Sequence, residues 1–185
     1  MLTEGQEGKA PIGLTRRRFL RATLAAGLAA AAGAGGLGYA FEWEPGWLAV
    51  EQHTVRVEGT SFPSALAGLK VGHLSDLHGG PYTGRKEVRA AVEAANSLAP
   101  DLIVVTGDFV LHSASYAVPC ARELSALRAP LGVFAIPGNH DYWTDIGTVL
   151  NELRSAGLTV LRNSSYRLES RGAPLWLVGI DDVWE

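Results

Sequence analysis

The stretch DLIVVTGD, Asp101 to Asp108, is an almost unbroken apolar run that ends on a glycine and a carboxylate. A strand with one wet face alternates apolar and polar residues. A run without alternation belongs to a strand covered on both faces, the setting of a parallel sheet. Working outward, LKVGHL from Leu69 and LGVFAIPG from Leu131 read as strands of the same kind. The segments GRKEVRAAVEAANSLAP, YAVPCARELSALRAP and DIGTVLNELRSAG read as helices, the first with Val88, Ala91, Val92 and Ala95 at helical spacing and the last closed by Gly157 in the C-cap position. LTVLRN, YRLES and PLWLVGID read as three shorter strands, and Glu51 to Val57 as an edge strand. Strands alternating with helices define an α/β class: a central, mostly parallel sheet with helices on both faces and ligand sites beyond the carboxyl ends of the strands.

The amino end has a different character. Thr15-Arg16-Arg17-Arg18-Phe19-Leu20-Arg21 is a basic head, and Ala22 to Phe41 carries no charge. A basic head before an Ala/Gly-rich apolar stretch is an export signal, and twin arginines followed by Phe-Leu resemble a twin-arginine (Tat) signal. Residues 1–40 are therefore set apart as a signal or amino-terminal membrane anchor, residues 22–41 being just long enough to span a bilayer. Small-x-small cleavage candidates are Ala32-Gly33-Ala34 and Gly38-Tyr39-Ala40. The remaining 41–185 is expected to form one domain around one core, with Trp43, Pro45 and Trp47 in a short linker.

Residues 1–40 hold five of the 16 basic and two of the 19 acidic residues, which leaves 11 basic and 17 acidic, a net charge of −6. That balance excludes a nucleic-acid partner, which calls for a surplus of Lys and Arg. Cys120 is the only cysteine, so no intrachain disulfide forms and the domain relies on its core.

Each of the first three strands ends in a polar cluster: SDLHGG, TGDFV and PGNHDYW. The strand-end rule places all three on one edge of the sheet, so Asp76, His78, Asp108, Asn139, His140 and Asp141 are expected to converge. Asp76 and His78 are two apart and point to the same side of an extended segment. A carboxylate with an imidazole suits Zn, Mn or Fe better than calcium. Gly107 lets the chain turn so that Asp108 projects, and a carboxylate can hold two cations roughly 3.5–4 Å apart. Asn139 offers a neutral carbonyl oxygen, His140 a proton for a leaving oxygen, and Asp141 a carboxylate to orient that imidazole. Taken singly, each cluster also fits a helix cap or a turn.

Together, Asp76-x-His78, Gly107-Asp108 and Gly138-Asn139-His140-Asp141, each after an apolar strand, resemble the opening half of the calcineurin-like metallophosphoesterases, in particular their exported bacterial branch. The resemblance covers roughly Leu69 to Trp184 and implies a layered metallophosphoesterase-like fold. It implies Asp76 and His78 as ligands of a first metal, Asp108 as the bridge to a second, Asn139 as a ligand of the second and His140 as the catalytic acid. The implied cofactors are two divalent ions, Mn, Fe or Zn. The implied activity is hydrolysis of a phosphomonoester or phosphodiester, small-molecule or lipid-linked, outside the cytoplasm after passage through the Tat machinery, with membrane association through the amino-terminal segment.

The family's second half supplies further histidines, and this chain has none after His140. His53, His73 and His112 do not stand in the required pattern; His73 reads as a core histidine and His112 as a loop residue. The expectation is therefore the front portion of a longer enzyme, the carboxyl-terminal half of the fold missing and PLWLVGI left as an exposed edge. The competing expectation is a catalytically inactive exported module that binds a metal or a phosphate group.

Overall fold

The computed structural model describes residues 15–39, 48–57 and 62–182. The chain divides into two compact units, residues 1–44 and 45–185. In the first, Arg16–Gly38 forms α1, 23 residues long with none buried. At 1.5 Å per residue it measures about 35 Å, and its length and composition suffice to cross a membrane. The linker tryptophans and the signal's first residues lie outside the described residues, as does Ala40 of the second cleavage candidate.

The second unit is built on four parallel strands in the order β1 (Val71–Ser75), β2 (Leu102–Thr106), β3 (Val133–Ile136), β4 (Thr159–Val160). Val71 pairs with Leu102, Ile103 with Val133 and Phe134 with Thr159, so the three polar clusters emerge at the same edge. Between the strands run α2 (Arg85–Ser97), α3 (Ala117–Leu124), the single turn α4 (Asn139–Tyr142) and α5 (Ile146–Ser155). Asp145 caps α5 by accepting from Thr148 N at 3.2 Å, and Gly157 ends it with φ +89°.

The three long helices of this unit all lie on one face. Val88 and Val92 of α2, Leu124 of α3 and Val149 and Leu153 of α5 join Ile103, Val105 and Ala135 of the sheet in one core. The expectation of helices on both faces is corrected here. The other face is covered by an antiparallel hairpin, β5 (Ser164–Ser170) and β6 (Ala173–Gly179), whose Leu168, Leu175 and Leu177 pack with Leu102, Phe134 and Leu161. The hairpin closes through Arg171 and Gly172, both at positive φ as a tight hairpin turn requires. Its period-2 alternation needs only one covered face, and the opposite face leaves Trp176, Val178 and Ile180 exposed.

Two other expectations fail for a related reason. Residues 51–57 form no strand and are exposed, because two alternating valines offer too little apolar surface to seat one. The sheet's edges are β1 and β4. The outward residues of β1, Val71, His73 and Ser75, are exposed, so His73 is a surface residue, with Nε2 2.6 Å from Thr106 Oγ1.

One buried charge ties α2 to α3. Glu123, 7% exposed, receives Arg85 Nε at 2.8 Å and Arg89 Nε at 2.9 Å, and these hydrogen bonds hold its carboxyl at about 2. A carboxyl depressed in the folded state contributes stability above its unfolded value, and that contribution disappears as pH falls through the folded one. Since both arginines are half exposed, the contribution is discounted to about 1–2 kcal/mol. Glu123→Gln is expected to cost that amount at pH 7 and to flatten the loss of stability between pH 4.5 and 2; urea midpoints across that range check it.

Candidate metal centre

Beyond β1 and β2 the chain turns sharply, and it does so through non-glycine residues in the left-handed region. Of the six non-glycine residues at positive φ among those described, three are Asp76 (54°), His78 (45°) and Asp108 (55°). Backbone in this region costs of order 1–3 kcal/mol per residue and persists where the surroundings impose it. The segment around Asp76 and His78 is thus not extended, as sequence spacing suggested. Both polar residues flank the buried Leu77, and backbone bonds from His78 N to Asp108 O (2.8 Å) and from Gly79 N to Phe109 O (2.9 Å) lace the loop to its neighbour.

The loops after β2 and β3 touch backbone to backbone. A Cβ on Gly107, which also sits at φ +76°, would come 2.7 Å from Gly138 N and Cα. A Cβ on Gly138 would come equally close to Asp108 N, at 2.7 Å. Only hydrogen fits at either position, and the contact brings His140 N within 3.0 Å of Asp108 Oδ1.

The side chains then converge. His78 Nε2 lies 3.6 Å from Asp76 Oδ1 and 3.6 Å from Asp108 Oδ2. His78, Asp108 and His140 bring ligand atoms within 4.8 Å of one another, and the two imidazoles meet edge to face at 4.7 Å between centroids. Asp76 joins through His78, and Ser75 Oγ donates to its Oδ2. Asn139 stands half-buried at the first position of α4. The structure therefore assembles Asp76, His78, Asp108 and His140, places Asn139 beside them, and puts His140 in the tight triple where sequence reasoning put Asp76.

His140 is oriented by a backbone carbonyl: Leu111 O lies 2.9 Å from Nδ1. A carbonyl only accepts, so Nδ1 carries the hydrogen and Nε2 is left to exchange a proton. This corrects the expectation that Asp141 orients the ring. Asp141, fully buried, accepts from Phe109 N (2.9 Å) and Val110 N (3.2 Å) through Oδ1 and from Gly138 N (3.0 Å) through Oδ2. Burial pushes its carboxyl up to about 6 against the pull of those three donors. Trp143, 65% exposed, lies against the His140 ring at 4.5 Å, and the exposed His112 ring stands at 6.4 Å. No sequence signal marks Leu111, whose contribution is a main-chain oxygen; Ser75 was legible only as the neighbour of Asp76.

The donor set fits divalent cations. A separation of 3.6 Å is too long for a hydrogen bond, but it matches two atoms bound to one cation at about 2.0–2.2 Å each. His78 Nδ1 is buried without a hydrogen-bond partner.

The sequence is similar to those of known proteins. The family model described as calcineurin-like phosphoesterase matches residues 69–178. A transmembrane protein with metallophosphoesterase domain from Bos taurus is 34% identical over 137 residues, covering 70% of this chain and 31% of that protein. Phosphodiesterase YaeI of Escherichia coli (strain K12) is 33% identical over 177 residues, covering 92% of this chain and 62% of its own. An uncharacterized metallophosphoesterase, YkuE of Bacillus subtilis (strain 168), is 32% identical over 178 residues, covering 92% and 60%. The chain spans less than two thirds of each of these relatives. No solved structure matches it.

Proposed function

We propose, from the premise that the chain belongs to the calcineurin-like phosphoesterase family, that its loop cluster hydrolyses phosphomonoesters or phosphodiesters with the help of two divalent cations, Mn, Fe or Zn. The observation that carries this reading is the pair of 3.6 Å separations from His78 Nε2 to Asp76 and Asp108, unbonded yet turned toward one point. Asp76, His78 and Asp108 would hold one cation, and Asp108 with Asn139 the other. Cations there supply Lewis-acid polarisation of the phosphoryl oxygen and charge neutralisation. Asp108 divides its work: Oδ1 fixes the α4 turn through His140 N, and Oδ2 faces the centre. Asn139 adds an oxygen without a negative charge that would repel the ester. His140, with Nδ1–H committed to Leu111 O, delivers a proton from Nε2 to the leaving oxygen.

The test measures bound metal and hydrolysis of bis(p-nitrophenyl) phosphate on this chain and on a version extended through the downstream reading frame. Metal-dependent turnover that a chelator abolishes is expected. The single tight group of candidate ligands among the described residues, His78, Asp108 and His140, motivates a second reading, an inactive module that binds one metal or a phosphate. A chain that binds one metal or phosphate and hydrolyses nothing in either version would establish that module, and binding neither would overturn both readings.

The same reading places the phosphoesterase unit outside the cytoplasm, delivered by the Tat machinery and anchored or released at residues 22–41, with a small-molecule or lipid-linked phosphate ester as substrate. It is supported by the length and composition of α1 and by the membrane-bound character in the bovine relative's name. Replacing Arg16 and Arg17 together by lysine is expected to trap the protein in the cytoplasm; undiminished export in cell fractions would overturn the Tat assignment.

A further inference from the structure

The α4 turn carries Asn139 and His140, yet four residues in one turn do not hold themselves in water. On the side of the metal centre, the turn is tied by His140 N to Asp108 and by the carboxylate of Asp141. Its other support comes from residues that sequence reasoning did not single out. Tyr142, the last residue of α4, donates its hydroxyl to Asp181 Oδ1 at 2.6 Å, and Asp181 Oδ2 accepts from Arg162 Nε at 3.0 Å. The Arg162 guanidinium lies 5.3 Å from the centroid of the Tyr142 ring, which closes the three side chains into a cycle. Asn163 Oδ1 accepts from Asp181 N at 3.1 Å and fixes the main chain there.

Arg162 and Asp181 flank the hairpin, just before β5 and just after β6. β6 ends at Gly179, where a Cβ would stand 3.0 Å from Ile136 Cγ2. Ile136 is the last residue of β3, directly before the Pro137-Gly138 turn that opens α4. The hairpin therefore reaches the site loop twice, beneath it through Gly179 and beyond it through Asp181. Asp181 is 10% exposed at its side chain, and Arg162 balances its charge, so the grip adds no net charge beside an anionic ester.

We infer that Tyr142, Asp181 and Arg162 are positioning residues: they hold the α4 turn against Asp108, so that the hairpin, which contributes no ligand, sets the geometry of the metal centre. The consequence for metal rests on the function proposed above; the grip itself does not.

Two measurements on the full chain separate them. Without added metal, hydrogen exchange of the Asp141, Trp143 and Thr144 amides, which bond to Gly138, Asn139 and Asp141 carbonyls, reports the turn directly. Tyr142→Phe, which keeps the ring under Arg162, and Asp181→Asn are each expected to speed exchange there about 10-fold while Val104 and Val105 in β2 stay unchanged. Mn2+ affinity is then expected to fall about 10-fold in both variants, the low end for residues that orient ligands. Glu123→Gln, remote from the site, is expected to alter neither readout. Exchange that is unchanged, or that rises equally in β2, overturns the grip. Faster local exchange with Mn2+ affinity within about twofold of the parent overturns its positioning role. A parent chain that binds no Mn2+ overturns the metal reading instead, and hydrogen exchange alone then decides the grip.

Discussion

Asp108→Asn is expected to lower phosphodiester turnover by on the order of 10³-fold and to strip metal from the protein, while the fold survives. The substitution is informative because the two carboxylate oxygens have different tasks. Oδ1 accepts from His140 N at 3.0 Å, and an asparagine oxygen can do the same. Oδ2 faces His78 Nε2 at 3.6 Å, and there an amide nitrogen presents hydrogens where a cation needs a lone pair. Metal content, turnover and the thermal midpoint of the same preparation check this. Metal and turnover equal to those of the parent would remove Asp108 from the centre and with it the proposed function.

Asp141→Ala is expected to cost about 4 kcal/mol, a large share of the total stability of a domain this size. The reason is local accounting. Three backbone N–H groups, those of Phe109, Val110 and Gly138, end on this one buried carboxylate, and alanine leaves all three without a partner. Asp141→Asn should cost about half as much, since its oxygen serves one side while its NH2 meets a donor on the other. Urea unfolding of both variants tests the order. A loss under about 1 kcal/mol for Ala would show that water replaces the carboxylate, and that Asp141 does not hold the two loops together.

The candidate ligands and the candidate acid were legible because strand ends are where a parallel sheet leaves polar groups free of core packing. Asp76, His78, Asp108, Asn139 and His140 could be named from three blocks and the strands before them. The role of Asp141 could not, because two of its three main-chain donors, Phe109 N and Val110 N, lie about thirty positions away, and main-chain groups leave no mark in a sequence. Tyr142 and Asp181 are separated by 39 positions, and neither residue type announces the other. His73 was misread for a different reason: periodicity places a side chain on a face of a strand but does not tell whether another element covers that face.

By itself the sequence determined the strand–helix alternation, the parallel sheet, the apolar amino-terminal helix and the set of residues at the carboxyl edge, since all of these follow from local periodicity and turn chemistry. Only the tertiary structure decided which face the hairpin covers, that Gly107 and Gly138 meet with no room for a side chain, that His140 takes its orientation from Leu111 and that Asp141 fastens two loops. Those outcomes depend on contacts between segments far apart in the chain, where close packing and the pairing of buried donors, rather than any residue's own preference, select the arrangement.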